Sequence, residues 1–94
     1  MSKNKGLKTI GILGGMGPLA TATLFNNIIL NTSANKDQEH IPILIHNNTK
    51  IADRTAYILD DEKENPKSEL IKSAKILEEG GADFIIMPCN TAHF

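Results

Sequence analysis

Three short apolar runs constrain the fold of this chain more than any other feature. They occupy Thr9–Leu13, Ile41–Ile45 and Asp83–Met87, and most of their residues are aliphatic. Such runs are typical of strands buried on both faces, as in parallel sheets. Segments with apolar residues at helical spacing lie between them. The alternation of strands and helices predicts an α/β fold in three layers, with helices on both faces of a parallel sheet and the ligand site at the carboxyl ends of the strands.

Two helices are predicted between the strands. The first begins at Pro18, whose fixed φ suits a first helical turn, and runs to about Asn31; the second begins at Asn65-Pro66 and ends at Gly80-Gly81. The apolar side chains expected to face the sheet in the first helix are Leu24, Phe25, Ile28 and Ile29. In the second helix, the apolar side chains that fall on one face are Leu70, Ile71, Ala74 and Leu77. The polar side chains expected to be more exposed in the first helix are Thr21, Thr23, Asn26 and Asn27.

Composition and charge exclude several classes of function. The 94 residues are 40% hydrophobic and 22% charged, with a formal net charge of −1. These values fit one soluble domain over residues 1–94, of which residues 1–7 are expected to be a disordered leader. The near-neutral charge gives no reason to expect nucleic acid or membrane as a partner. A single cysteine and the lack of a C-x-x-C pair argue against a disulfide framework and against a metal site, so we expect a reducing, cytoplasmic setting.

A cysteine follows the third apolar run directly, in Met87-Pro88-Cys89-Asn90-Thr91. This pattern predicts a thiol at the start of a helix beyond a strand tip. The positive end of the helix dipole lowers the pKa of a thiol there, and the free N–H groups can hold a carboxylate. The alternative is an inert buried cysteine. His93 lies one helical turn beyond Cys89, where it would tune the thiol or pack against the sheet.

A glycine-rich turn, Gly14-Gly15-Met16-Gly17-Pro18, follows the first run. Turns of this kind can cradle a phosphate, but the G-x-G-x-x-G fingerprint fails here because Ala20 stands where a glycine is required, and no Gly-Lys-Ser/Thr follows. The residues themselves then favour a tight connection between strand and helix.

The segment Asp53-Arg54-Thr55 follows the second run, which is ended by His46-Asn47-Asn48. A guanidinium offers a rigid fork that binds a carboxylate through two parallel hydrogen bonds. Arg54 is therefore a candidate for binding an acidic substrate. The alternative is a surface ion pair with Asp53, Asp60 or Asp61.

The three motifs together, in this order and spacing, resemble the aspartate/glutamate racemase family. The resemblance runs from Lys8 to Phe94 and implies one of two similar, flavodoxin-like lobes, with a second lobe and its second cysteine absent from this sequence. It implies a PLP-independent isomerase without cofactor or metal that interconverts L- and D-aspartate or glutamate. Two thiols on opposite faces of the α-carbon would exchange its proton. Since only one thiol is present, we expect this chain alone to be inactive.

The resemblance also implies roles for individual residues. Cys89 would be the catalytic base or acid, and His93 a supporting residue. The substrate-binding residues would be Met16, Gly17, Asn47, Arg54, Asn90 and Thr91. The partner would be a small dicarboxylic amino acid, and exposed apolar surface predicts a homo-oligomer. The alternatives are a hydantoin racemase, a maleate isomerase, or a catalytically silent lobe that binds a ligand or self-associates.

Overall fold

A computed structural model describes residues 7–51 and 67–88 of the chain. In chain order these residues form strand β1 (Ile10–Gly14), helix α1 (Pro18–Leu30), a 3-10 turn (Asp37–Glu39), strand β2 (Ile43–Asn47), helix α2 (Lys67–Glu79) and strand β3 (Phe84–Ile86). The chain therefore folds as an α/β structure, as the alternation of apolar runs and amphipathic segments predicts.

The three strands form one parallel sheet in the order β2-β1-β3. In register, Ile10 pairs with Ile43 of β2 and with Phe84 of β3. The ladder between β1 and β2 continues to the pair Gly14 and Asn47. The strand that comes first in the chain thus lies in the middle of the sheet.

The helices lie on opposite faces of the sheet, and the alternation of residues along β1 shows it. A Cβ atom on Gly14 would collide with the side chain of Thr21 in α1, so the even-numbered face of β1 meets α1. A Cβ atom on Gly11 would lie 2.8 Å from the Cβ of Ala82 and 3.4 Å from that of Leu77, so the odd-numbered face meets α2 and its C-terminal turn. The predicted three-layer arrangement is confirmed.

The core of the described residues lies between the sheet and α2. Leu13, Ile51 and Leu77 are buried there, and partly buried side chains pack around them: Met16, Leu44, Leu70, Ala74 and Ala82. Ile12 is fully buried on the other face of β1. Full burial of one such side chain contributes about 1.5–3 kcal/mol, so the central strand and α2 dominate the apolar stabilisation.

The strand bounds differ from the sequence-based expectation by one or two residues. β2 was expected at Ile41–Ile45 but lies at Ile43–Asn47, because its polar end pairs with β1 and the carbonyl of Pro42 only accepts a hydrogen bond from the Ile10 N–H, at 3.0 Å. Apolar composition marks the buried part of a strand, whereas the paired part extends further. β3 is shorter than expected, with three residues.

Two side-chain expectations for the helices are wrong. Thr21 was expected to be exposed but is buried, because its hydroxyl binds the backbone of the glycine turn. Conversely, Phe25 and Ile29 of α1 were expected to face the sheet, but their side chains are 38% and 39% exposed. Within the described residues, neither helix has the length and apolarity to cross a membrane.

Candidate functional site

The predicted substrate-binding residues that the structure describes meet at the carboxyl ends of β1 and β2. β1 ends at Gly14, and Asn47 lies directly opposite as the last residue of β2. Met16 and Gly17 follow in the turn that leads from β1 into α1. On the other side of β1, Ile86 pairs with Ile12, so Met87 and Pro88 continue from β3 towards this same edge. The glycine turn, Asn47 and the described start of the cysteine-bearing segment therefore lie at the same end of the sheet, whereas Asp53-Arg54-Thr55 lies outside the described residues.

The glycine turn is held in place by Thr21 of α1. Gly15 has a φ of +119°, a conformation that side chains rarely adopt. Its N–H donates to the Thr21 hydroxyl at 3.2 Å, and that hydroxyl donates to the carbonyl of Gly17 at 3.3 Å. The same carbonyl accepts from the backbone N–H of Thr21 at 3.3 Å. One threonine thus closes the turn against the helix that follows it.

Met16, Gly17 and Asn47 differ in their surroundings. The half-buried Met16 packs against the cluster of Leu13, Ile51 and Leu77, so it closes the floor of the turn. Gly17 is the N-cap of α1 and makes no side-chain cap. Asn47 is exposed. As the partner of Gly14 it lies on the face of the sheet that α1 covers.

A buried polar cluster lies beneath the turn, on the α2 side of the sheet. Asn48 is only 6% exposed, and its side-chain N–H groups donate to the Ser73 hydroxyl at 2.8 Å and to a Glu69 carboxylate oxygen at 3.1 Å. Ser73 is fully buried and also lies 2.9 Å from Nδ1 of His46. Among the described residues, every buried side-chain nitrogen or oxygen has a hydrogen-bond partner.

Glu69 is the charged member of this cluster. The hydrogen bond from Asn48 is the main cause that lowers the pKa of its carboxyl group, and the positive charges of Lys72 and Lys50 act in the same direction. Partial burial opposes them. The Lys72 ammonium lies 3.8 Å from the carboxylate. The cluster therefore holds Glu69 as an anion.

The sequence analysis missed this cluster. Ser73 was not singled out, although it stands with Leu70, Ala74 and Leu77 at the spacing of one buried helix face, and that spacing is the signal that reveals it. Asn48 was noted only as a strand end. An asparagine two residues before a backbone N–H that it can bind is a known turn signal, and Asn48 Oδ1 does accept from the Lys50 N–H at 2.9 Å.

The remaining predicted site residues lie outside the described residues. They are Arg54, Cys89, Asn90, Thr91 and His93. Within the described ranges, no group of three or more histidine, cysteine, aspartate or glutamate side chains is placed to hold a metal ion.

Comparison with known proteins identifies the family to which this chain is related. The model of a family described as Asp/Glu/hydantoin racemase matches residues 13–94, which is most of the chain. This chain belongs to the Asp/Glu/hydantoin racemase family. The family match includes the glycine turn, the polar cluster and the segment that carries Cys89.

Two relatives of this racemase-family chain are informative. The broad specificity amino-acid racemase RacX of Bacillus subtilis (strain 168) is 36% identical over 90 residues, a match that covers 89% of this chain and 37% of RacX. The solved structure of Picrophilus torridus aspartate racemase is 38% identical and superposes with a TM-score of 0.78, over 92% of this chain and 37% of that one. The chain therefore spans little more than a third of the length of these relatives.

Proposed function

We propose that this chain is one catalytic lobe of an amino-acid racemase that interconverts the enantiomers of aspartate or glutamate without PLP or a metal. The observation that carries the proposal is the convergence of the glycine turn, Asn47 and the end of β3 on one edge of the sheet. Membership of the family and the names of the two relatives support an isomerase that acts on amino acids.

Cys89, the next residue after Pro88, is proposed as the group that moves the proton. As a thiolate it would take the α-proton of one enantiomer to form a thiol and a carbanion, and as a thiol it would return a proton in the opposite direction. Inversion needs a second acid on the other face of the α-carbon. Cys89 is the only cysteine of the 94 residues, so a second thiol must come from outside this sequence, and we expect this chain alone not to racemise.

The other proposed roles follow from the charges that develop during the reaction. Asn90 and Thr91 would hold the α-carboxylate and so spread the negative charge of the intermediate. Met16, Gly17 and Asn47 would form the wall of the pocket. His93 would support the thiol. The thiol must stay reduced, which fits a cytoplasmic setting.

Alkylation of Cys89 tests the proposal directly on this chain. A thiol activated at a helix start reacts with iodoacetamide well below pH 8.5, the approximate unperturbed pKa of cysteine. We expect fast labelling at neutral pH, and we expect aspartate or glutamate to slow it by occupying the site. The proposal is contradicted if the pH dependence of labelling gives Cys89 an ordinary or raised apparent pKa. It is also contradicted if neither aspartate nor glutamate changes the labelling rate.

Arg54 is proposed to bind the distal carboxylate of the substrate. The change Arg54→Lys keeps the charge but removes the bidentate fork. We expect the aspartate concentration that gives half-maximal protection of Cys89 to rise by at least about tenfold, because a hydrogen bond to a charged group contributes roughly 1.5–3 kcal/mol. Protection by alanine, which lacks the distal carboxylate, is the control and should not change. Equal protection by aspartate in both proteins argues against this role for Arg54.

The same assay separates the alternative activities. Protection by a hydantoin or by maleate in place of amino acids would favour a hydantoin racemase or a maleate isomerase. Chiral chromatography of aspartate and glutamate after incubation separates an active enzyme from a silent lobe. Turnover by this chain alone would contradict the requirement for a second thiol.

A further inference from the structure

Asn48 is the residue through which the glycine turn, β2 and α2 are connected. Its backbone N–H donates to the carbonyl of Gly14 at 2.8 Å and so extends the β1–β2 ladder by one bond beyond the last strand pair. Its backbone carbonyl lies against Gly15, so closely that a Cβ atom on Gly15 would collide with it. The backbone of Asn48 therefore constrains the turn from the side of β2, as Thr21 does from the side of α1.

The side chain of Asn48 in turn fixes that backbone. Oδ1 accepts from the Lys50 N–H at 2.9 Å, and the two amide hydrogens are directed to the Ser73 hydroxyl at 2.8 Å and the Glu69 carboxylate at 3.1 Å. The side chain is buried, so each of these bonds is costly to lose without replacement. Both of its donors bind α2, which is itself packed on the core through Leu77.

We infer that Asn48 is a positioning residue, which transmits the placement of α2 to the glycine turn Gly14–Gly17 and to the chain that leads towards Arg54. Its effect on substrate rests on the proposed function, whereas its effect on the turn does not. Asn48 is 6% exposed and needs no contact with substrate to act in this way. A change in the Asn48–Glu69 pair should therefore alter the turn while α1 and the rest of the sheet keep their structure.

The change Asn48→Asp tests the inference with almost no change of shape. The new carboxylate can still accept from the Lys50 N–H, but it loses both donors and places a negative oxygen beside Glu69, where like charges repel. We expect the amide hydrogen of Gly15 to exchange with solvent on the order of tenfold faster, as for the loss of a buried hydrogen bond. The amide of Leu24 in α1 serves as an internal reference and should exchange at the wild-type rate.

A second change should reverse the effect. In the double variant Asn48→Asp with Glu69→Gln, the glutamine amide can donate to the new aspartate, so that donor and acceptor are exchanged. The Ser73 hydroxyl can donate to the aspartate while Nδ1–H of His46 donates to Ser73. We expect Gly15 exchange to return to within about threefold of wild type. Asn26→Asp, the same chemical change at an exposed position of α1, is the control and should have no effect.

The outcomes distinguish a positioning role from general destabilisation. Equal acceleration at Gly15 and Leu24, or no recovery in the double variant, overturns the inference. If Asn48→Asp does not fold, Ser73→Ala removes one of the two α2 partners, and unchanged exchange at Gly15 in that variant also overturns it. The aspartate concentration that gives half-maximal protection of Cys89 should rise in parallel with the exchange rate of the Gly15 amide. If aspartate protects no variant, wild type included, the proposed function fails, and the exchange rates alone decide the role of Asn48.

Discussion

At the scale of single residues, a comparison of Gly15 in the glycine turn with Gly81 after α2 shows what the turn requires. Gly15 has a φ of +119° and Gly81 a φ of +107°. A side chain at either position would strain the backbone by about 1–3 kcal/mol. At Gly15 a Cβ atom would also collide with the backbone of Asn48, whereas at Gly81 no atom other than those of its chain neighbours lies within 4 Å of the Cβ position. A substitution at Gly81 therefore measures the cost of the backbone conformation alone, whereas a substitution at Gly15 adds the cost of the collision with Asn48.

We predict that Gly15→Ala lowers the free energy of unfolding by about 1–3 kcal/mol more than Gly81→Ala does. The additional cost arises because the Asn48 backbone must move, and overpacking of this kind costs about 1–3 kcal/mol. Urea denaturation followed by circular dichroism measures both values. Equal losses in the two variants would mean that the turn and Asn48 are not in close contact.

At the scale of elements, α1 holds the glycine turn through the first turn of its own helix. Gly17 makes no side-chain cap, and Thr21 supplies instead the polar atom that meets the N–H of Gly15. A buried threonine of the helix therefore binds the loop that precedes the helix, and it does not cap the free N–H groups of the first helical turn.

We predict that Thr21→Val lowers the free energy of unfolding by about 1–2 kcal/mol, because the N–H of Gly15 loses its acceptor. Thr23→Val makes the same change at an exposed position of the same helix and should alter stability by less than about 0.5 kcal/mol. Threonine and valine have similar helix propensity, so the difference isolates the hydroxyl contacts. Chemical denaturation of the three proteins provides the comparison, and equal effects of the two changes would count against this anchoring role.

In α2, the lowered pKa of Glu69 predicts a dependence of stability on pH. A carboxyl group with a lower pKa in the folded state stabilises that state above the unfolded pKa, and the contribution disappears as the pH falls through the folded value. We predict that the urea midpoint of the wild type falls as the pH decreases below the ordinary value of 4.5. Glu69→Gln should show a shallower fall over this range.

Glu78→Gln, on the exposed face of α2, is the control for this measurement and should retain the wild-type dependence. Identical pH profiles for wild type and Glu69→Gln would show that the hydrogen bond from Asn48 does not favour the ionised form in the folded state.

The sequence predicted the elements better than it predicted the contacts between them. Pro18 and the glycines after α2 marked the helix ends, because their backbone constraints are local. Ser73 and Thr21 could not be placed in this way, since a polar residue is buried only where a partner from another element meets it. His46 shows the same limit, because its place in β2 depends on pairing with Leu13. The roles of Cys89 and Arg54 stay predictions, as both lie outside the described residues.

At the scale of the whole molecule, β3 lies at the edge of the sheet that the described residues form, and it carries exposed apolar side chains. Phe84 is 48% exposed and Met87 49% exposed, and Ile85 is also exposed. An edge strand presents unpaired backbone groups as well. Apolar surface beside such an edge is typical of an interaction surface.

We predict that this chain self-associates through the edge formed by β3. Phe84→Glu should shift the apparent mass towards the monomer in light scattering, because a charge at the edge disfavours pairing. Ile71→Glu adds the same charge at a 51% exposed apolar position of α2 and should leave association unchanged. A monomeric wild type across a wide concentration range contradicts the prediction.

The central place of β1 in the sheet also determines when this chain can fold. β1 is synthesised first, but its neighbour β3 ends only at Ile86, and the amide of Asp83 must return to the carbonyl of Thr9, 74 residues earlier. A ribosome that adds about 5–20 residues per second needs roughly 4–14 seconds to travel from the end of β1 to the end of β3. Throughout that interval the apolar residues of β1 lack one of their two neighbours. A nascent chain therefore keeps one side of β1 unpaired until β3 has been synthesised.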